Sequence, residues 1–451
     1  MKKGGALPIP TRLPKERTRV YIESFGCPTN LADGEVIAGC LEGAGYTIAQ
    51  IPTEADIMIY NTCAVKTPTE NRMVDRLKRV PRGKKVIVAG CLPLINLKRL
   101  RREVAPDGII GPAPGPEIVE AVERVQRGER VFVLRTDSKP LLSLPRVVSS
   151  RVVRIIPIAY GCRGDCSFCC VRFARGPLRS YGVDEVVGEG VREFWLTAQD
   201  SGSYGKDIGV DLVRLLRGVA GVEGDFFVRV GMMNPEHALG MLDELIEAYK
   251  DEKVFKFLHL PVQSGDDGVL SLMNRHYSVS DFKRIVQSFR REIPRVTVAT
   301  DFICGFPGED DEAFERSLSL IEEVKPDVVN VSKFSPRPGT LAKTMGRLPG
   351  RLVKERSRRM VELCRKTSSE RNRSWLGWVG DVLIDEEGKD GSWVGRNFAY
   401  KPIVIRSKEN LLGKLLRTRV DGFRPTYLLG MIIQTSLFAR GIRDLNTQYS
   451  L

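Results

Sequence analysis

From residue 19 onward the apolar positions fall into short runs separated by stretches of helical spacing. RVYIESFG (19–26), ADIMIYNTC (55–63) and KKVIVAGC (84–91) read as strands. LADGEVIAGCLEGAGY (31–46) and PTENRMVDRLKRV (68–80) read as helices between them. Apolar strands alternating with helical crossovers predict a parallel sheet covered on both faces, here over 19–128. A connector bearing Pro and Ser follows over 129–150. A longer alternation starts at 151, with strands VVRIIPIAY, REFWLTAQ, FFVRVGMM, VFKFLHLPV, VTVATDFICG and DVVNVSKF. Six such repeats predict a partial (β/α)6 barrel over 151–370, with functional residues at the carboxyl ends of its strands. From 375 to 434 short alternating runs are broken by glycine, the pattern of a small β-barrel. The fold class expected is α/β throughout, ended by this all-β module.

Composition adds limits. The 451 residues, 42% hydrophobic and 28% charged, suit a globular chain of several domains and exclude a disordered or disulfide-stapled one. MKKGGALPIP has no apolar stretch behind its charges, so it is not read as a signal peptide. No run of about twenty apolar residues is present, so no membrane association is expected. A cytoplasmic protein with ten cysteines points to metal or redox chemistry rather than disulfides. The net charge of +14 asks for a polyanion or a solvated basic surface. It is concentrated in residues 1–20, six basic against one acidic, and in 351–373, nine against three. Such crowding of like charge favours a nucleic-acid partner.

The strongest local signal is YGCRGDCSFC (160–169), which sets Cys162, Cys166 and Cys169 in CxxxCxxC spacing after the first barrel strand. Three thiolates hold three irons of a 4Fe–4S cluster and leave the fourth open. Structural zinc competes but wants a fourth ligand and a different pairing. Cys170 is adjacent and reads as a bystander thiol. A second set, Cys27, Cys63 and Cys91, is separated by 36 and 28 residues, too far for a local metal loop. Each follows a predicted strand, and in a parallel sheet those ends share one edge, where distant thiols converge. Three buried free cysteines are the plainer reading.

The CxxxCxxC loop resembles the radical S-adenosylmethionine superfamily. Together with GCPTN (26–30), NTCAV (61–65) and AGC (89–91), the chain resembles a methylthiotransferase of that superfamily over about 20–430. RGPLRS (175–180), LTAQDSGSYG (196–205), HLPVQSG (259–265), DFICGFPGE (301–309) and KFSPRPGT (333–340) match its motifs in order. RVGMMNP (229–235) resembles the archaeal and eukaryotic branch acting on threonylcarbamoyladenosine in tRNA. The resemblance implies a barrel of radical S-adenosylmethionine type and a C-terminal TRAM domain that binds RNA. It implies two [4Fe-4S] clusters, on Cys27, Cys63 and Cys91 and on Cys162, Cys166 and Cys169. S-adenosylmethionine would be bound at Phe168, Thr197, Gln199, Asn234, Gln263, Asp301, Ile303 and Gly305. The first cluster would carry the sulfur to be transferred, one cofactor molecule would methylate it, and a second would yield the radical that activates the substrate. An electron donor such as a flavodoxin or ferredoxin is implied, and tRNA as the macromolecular partner.

Other substrates of sister branches are isopentenyladenosine in tRNA and an aspartate of a ribosomal protein. A non-catalytic iron–sulfur RNA-binding protein is a further alternative, disfavoured by the cofactor-pocket motifs, and a radical enzyme without sulfur transfer is disfavoured by the first cysteine set. Arg396, Lys401, Lys414, Arg417 and Arg419, with the basic helix before them, favour RNA over protein. Arg229 is a candidate partner for the substrate's carboxylate, with the cofactor's carboxylate or a structural acid as the alternatives. No acid/base pair is singled out: His259 and His276 read as structural, Asp200 and Glu309 as cofactor ligands or helix caps, and Cys40, Cys304 and Cys364 as core thiols. About ten residues between Tyr181 and the second barrel strand leave room for only one or two helical turns. The tail after Gly430 carries no assigned role.

Overall fold

The computed structural model describes residues 18–186 and 192–435. The chain divides into two units. The first comprises residues up to Ser149 together with Phe173–Gly176, and the second the remainder.

In the first unit, β1 (Arg19–Ser24), β2 (Thr47–Ile48), β3 (Ile57–Thr62), β4 (Lys85–Gly90), β5 (Gly108–Ile110) and β6 (Val131–Val133) form one sheet. Its order is β2-β1-β3-β4-β5-β6, and every pairing is parallel. β3 is buried along its whole length, as a central strand with helices on both faces must be. One face packs Ile57, Ile59 and Ile87 against Val36, Ile37 and Leu41 of the helix Pro28–Gly43 and Ile118 and Val122 of the helix Glu117–Gln126. The other packs Met58, Tyr60 and Val88 against Leu77 and Leu100. The segment 129–150, expected as a connector, supplies β6 and then ties back: Val147 N donates to the Glu35 carbonyl, and Ser149 Oγ donates to the Glu35 carboxylate at 2.7 Å.

In the second unit, β7 (Val153–Pro157) precedes a short antiparallel pair, β8 (Ala159–Tyr160) and β9 (Arg179–Ser180). The helix Val183–Val186 is the described part of the short first crossover, and 187–191 lie outside the described residues. β10 (Glu193–Thr197), β11 (Phe227–Val230), β12 (Phe257–His259), β13 (Thr297–Cys304) and β14 (Val328–Lys333) complete the series. They form two three-stranded parallel sheets, β7-β10-β11 and β12-β13-β14, bridged between Val228 and Val254. This is the partial six-stranded barrel the sequence predicts. Ile156, Phe194 and Leu196 point outward with Val186 and Val219 of the crossover helices. Alternation along a strand therefore turns Ile155, Trp195 and Arg229, which are register partners, into the barrel interior. The helix Gly350–Arg373 follows β14 and leads to a closed barrel of β15 (Val379–Glu387), β16 (Ser392–Arg396), β17 (Pro402–Arg406), β18 (Leu415–Phe423) and β19 (Leu428–Thr435). Trp375, Val382, Ile384, Ile403, Ile405 and Leu416 fill its core. The tail beyond 435 lies outside the described residues.

Buried charges join this small barrel to the larger one. Lys401 Nζ donates to Asp327 Oδ1 and to Asn372 Oδ1, both at 2.9 Å, and Asp327 also accepts from Arg371 at 3.2 Å and from Val298 N at 3.0 Å. At the base of β10, Trp195 Nε1 donates to the fully buried Glu193, near the Arg396–Asp385 ion pair (3.0 Å). Arg396 and Lys401 are thus spent internally, which corrects their expected role toward RNA. A charge count does not reveal a buried partner. Lys414, Arg417 and Arg419 are exposed, the two arginines alternating along β18.

Burial, and then the neighbouring Asp385, push the Glu193 carboxyl up to about 7. A carboxyl whose native value is raised binds its proton more tightly in the folded state. Its contribution to stability is full below the usual carboxylate range and is lost as pH rises through about 7. Glu193→Gln keeps the acceptor for Trp195 and removes the titration. The variant is expected to melt a few degrees higher than the parent at pH 8, and to show a flatter dependence of melting temperature between pH 4.5 and 7. Thermal unfolding followed by circular dichroism across that range checks it.

Candidate functional site

Two sets of cysteines define two sites, one in each unit. In the first, β1, β3 and β4 are neighbours, and Cys27, Cys63 and Cys91 lie just beyond their carboxyl ends. Cys27 caps the helix Pro28–Gly43, with Pro28 in the first-turn position that needs no donor. Cys91 stands at the start of the short helix Leu92–Ile95. The approach is close enough that side chains are excluded beside it. Gly26 has φ +99°, and a Cβ there would meet Cys63 Cβ at 2.4 Å and Sγ at 2.6 Å. Gly90 has φ +94°, and a Cβ there would meet the Thr62 carbonyl at 2.3 Å. Both glycines answer a left-handed backbone and a filled space at once. Asn30 and Asn61 lock the loops to each other: Asn30 Nδ2 donates to the Asn61 carbonyl at 3.0 Å, and Asn61 Nδ2 to the Asn30 carbonyl at 2.6 Å.

Electrostatics agree with convergence. Burial pushes the Cys91 thiol up to about 12. The Arg175 guanidinium opposes this, and the sulfurs of Cys27 and Cys63 add to it. Arg175 belongs to the first unit and is 2% exposed. Its Nη2 pairs with Asp33 Oδ2 at 2.7 Å and donates to Asn30 Oδ1 at 3.1 Å. Neither Arg175 nor Asp33 stands out in the sequence as a site residue. The signal that was available is the RGPLRS motif itself, matched but assigned no role.

In the second unit the loop after β8 carries Cys162, Cys166 and Cys169. Gly164 N donates to Cys162 Sγ at 3.2 Å, and Ser167 is pinned to the helix Asp267–Leu272 and its C-cap by its N–H to the Met273 carbonyl and its Oγ to the Leu272 carbonyl. Burial raises Cys162 to about 11, with Asp200 adding, and raises Cys169 as well. Cys170 is buried. Arg275, which the sequence did not flag, donates from Nη1 to Cys166 Sγ at 3.2 Å and from Nη2 to Asn234 Oδ1 at 2.9 Å.

The residues expected at the cofactor surround this loop at the carboxyl ends of β10 to β13. Phe168 meets Phe306 edge-on at 6.3 Å. Thr197 ends β10, and Gln199 beyond it has a buried Oε1 with no hydrogen-bond partner. Asn234 N donates to Asp200 Oδ1, which also accepts from Gly202 N, both at 3.0 Å. Gln263 adopts φ +73° with its N–H on the Asp301 carbonyl. Asp301 is held by His259 at 3.2 Å and by Asn330 Nδ2 at 2.7 Å. Ile303 lies on β13, two residues further along. At Gly305 the space a Cβ would take is filled by Val353 at 2.6 Å, so the glycine serves helix packing, where the sequence suggested approach to a ligand. Glu309 accepts from Gly305 N at 3.0 Å and from Arg356 at 2.8 Å, and Asp200 caps its own loop. His276 stands 3.4 Å from Asp165. His237, the third histidine, is held below its usual value by burial and sits 2.9 Å from Lys206 Nζ.

Among the described residues no three His, Cys, Asp or Glu side chains are placed to hold a single metal ion. A cluster that gives each cysteine its own iron does not require that. Thiols that feel one another's charge, glycines that leave room for sulfur, and N–H or guanidinium donors to Cys162 and Cys166 all fit such a group. Loading it releases the thiol protons that burial holds in place.

Deeper in the barrel, Arg229 lies with its guanidinium carbon 5.0 Å from the Trp195 ring, 5.1 Å from Phe257 and 5.2 Å from Tyr400. It makes no hydrogen bond to any described residue, and its Nε is buried without a partner. Phe257 and Tyr400 also line, with Thr297 and Asn330, a cavity of about 310 Å³ that Arg229 itself does not line.

Residues 19–111 match the uncharacterized protein family UPF0004, and residues 156–321 match the Radical SAM superfamily. The fold of a radical S-adenosylmethionine methyltransferase, TsrM from Kitasatospora setae, solved with cobalamin and a [4Fe-4S] cluster, is similar. The TM-score is 0.53 at 14% identity, covering 72% of this chain and 77% of that one. A probable threonylcarbamoyladenosine tRNA methylthiotransferase of Pyrococcus horikoshii is 46% identical over 426 residues, 92% of this chain and 99% of that one. The Homo sapiens threonylcarbamoyladenosine tRNA methylthiotransferase is 35% identical over 424 residues, 89% of this chain and 72% of that one. Superfamily membership brings S-adenosylmethionine and a [4Fe-4S] cluster as cofactors. No described helix is long and apolar enough to cross a membrane. With two matched regions in their expected order, and relatives 46% and 35% identical over 92% and 89% of its length, the chain belongs to the threonylcarbamoyladenosine tRNA methylthiotransferase family.

Proposed function

We propose that the protein converts N6-threonylcarbamoyladenosine, next to the tRNA anticodon, to its 2-methylthio derivative. The observation that carries the choice of base is Arg229. A threonylcarbamoyl group bears a carboxylate, whereas an isopentenyl group is wholly apolar. Three rings hold the faces of the Arg229 guanidinium, and no protein acceptor occupies its edge. Arg229 is half-buried and its buried Nε lacks a partner, and a carboxylate is the complementary partner for that fork. An apolar substituent would leave it unpaired, so the site discriminates by what it fails to satisfy.

The cofactors, when bound, supply sulfur and methyl donation and the abstraction of hydrogen from an unreactive C–H bond. Cys162, Cys166 and Cys169 hold one cluster in this reading, and Cys27, Cys63 and Cys91 the other. Gln199 offers its free carbonyl to an ammonium, and Asp301 is oriented by His259 and Asn330. Phe168, Thr197, Asn234, Gln263 and Ile303 are the further residues this reading sets around the cofactor, while Gly305 serves the packing of Val353. In this reading residues 19–128 carry the auxiliary cluster, 151–370 the radical chemistry, and 375–434 the RNA contact. The exposed Lys414, Arg417 and Arg419 supply phosphate contacts. The electron donor would be a flavodoxin or ferredoxin.

Anaerobic reconstitution is expected to give about eight irons per chain. Replacing Cys162, Cys166 and Cys169 by Ala leaves about four, and so does replacing Cys27, Cys63 and Cys91. Iron analysis that finds about four in the unmodified chain rules out the two-cluster assignment.

The base is tested by offering tRNA bearing each modified adenosine and following methylthiolation by nucleoside mass spectrometry. The threonylcarbamoyl form is expected to react. Arg229→Met is expected to lower kcat/KM on it by about 10- to 100-fold, the worth of a charge-assisted hydrogen bond. Turnover of the isopentenyl form alone refutes the assignment.

A further inference from the structure

Every buried charge needs a partner, and the first unit's thiol site takes one from outside its own stretch of chain. Cys63 and Cys91 are 5% and 8% exposed, and a sulfur cluster on three cysteines there would bring negative charge into a low-dielectric pocket. The guanidinium whose charge opposes the upward push on the Cys91 thiol is Arg175. It lies six residues after Cys169 in sequence, yet 173–176 belong to the first unit.

The surroundings hold Arg175 in one place. Its Nη2 is fixed by Asp33 at 2.7 Å and by Asn30 at 3.1 Å, and the Arg175 and Asp33 side chains are 1% and 0% exposed. Asn30 is three residues after Cys27. Asn30 in turn exchanges hydrogen bonds with Asn61, two residues before Cys63. One guanidinium therefore stands on a hydrogen-bond network that reaches the loops of Cys27 and Cys63, and its charge is felt at Cys91.

We propose that Arg175 is the positioning residue of the Cys27, Cys63 and Cys91 site, supplying the positive charge that retains the sulfur cluster there and raises its reduction potential. This rests on the two-cluster reading. A fixed cation close to a cluster favours the form with one more electron, and a hydrogen bond to a ligating sulfur acts in the same direction. Asp33 partly offsets the charge, but it also aims the guanidinium.

The test uses the full chain with Cys162, Cys166 and Cys169 replaced by Ala, so that any cluster observed is the first unit's. Arg175→Lys, Arg175→Met and the double variant Arg175→Met/Asp33→Asn are made in that background. After anaerobic reconstitution, iron is counted, and one-electron reduction is followed by electron paramagnetic resonance against solution potential. Arg175→Met is expected to keep roughly half the iron or less. The cluster it keeps should show about a tenfold lower ratio of reduced to oxidised form at fixed potential, a shift of about 59 mV for one electron. Arg175→Lys restores part of both. The double variant removes the Asp33 carboxylate as well and should still show the lowered potential. If it instead returns both iron and potential to the parent values, Arg175 serves only to neutralise Asp33 and the proposal is wrong. If the parent chain binds no iron, the two-cluster reading fails and takes this proposal with it.

Discussion

Parallel pairing is the constraint on which the rest depends. Strands that run the same way end at the same edge, so whatever follows them is delivered to one place. In the first unit the adjacent strands β1, β3 and β4 deliver Cys27, Cys63 and Cys91, which are far apart along the chain. In the second unit β10 to β13 deliver Thr197, Asn234, Gln263 and Asp301 around the CxxxCxxC loop. The sheet supplies convergence, and the two glycines, Gly26 and Gly90, allow the loops that carry the sulfurs to approach closely. Neither device works alone. Strand ends crowded by Cβ atoms would splay, and glycines without parallel strands would bring nothing together.

What was legible in the sequence is what has a period or a spacing. The alternation of apolar runs with helical stretches marks the parallel sheets, and the position of each cysteine just past a strand marks the converging edge. The short crossover after Tyr181 was visible as a length, and the described helix there has four residues. Arg175, Asp33 and Arg275 were not legible as site residues, because their partners are remote: Arg175 reaches Asp33 across 142 residues and Arg275 reaches Cys166 across 109. No window of sequence shows such a pairing. The same blindness has the opposite effect at Arg396 and Lys401. Counted as cations, they point to RNA, yet each is closed into a buried ion pair with Asp385 or Asp327. Exposure, not composition, separates these two from Arg417 and Arg419.

The buried charges of the second unit do two kinds of work. The Lys401, Asp327, Asn372 and Arg371 group is saturated with partners and fastens the small barrel in one register against β13, β14 and the long basic helix. Arg229 is the contrary case, a guanidinium packed between rings and denied an acceptor. Tyr400, one of those rings, is the residue before Lys401. The lysine that anchors the small barrel therefore also places the floor under Arg229, so that the module read as an RNA-binding appendage forms part of the barrel's interior wall.

The placement of Arg175 has a consequence in time as well as in space. Chains emerge from the ribosome at about 5–20 residues per second, and domains fold as they appear. Asp33 and Arg175 are 142 residues apart, so the aspartate waits roughly 7 to 28 s for its partner. During that interval the first sheet has all six of its strands but lacks the Arg175 guanidinium. The nascent unit is therefore weakest where it must later be most closed. Under the two-cluster reading, iron delivered before the chain has passed residue 175 would meet Cys27, Cys63 and Cys91 without the Arg175 guanidinium, and the chain's own length would order the maturation of the two units.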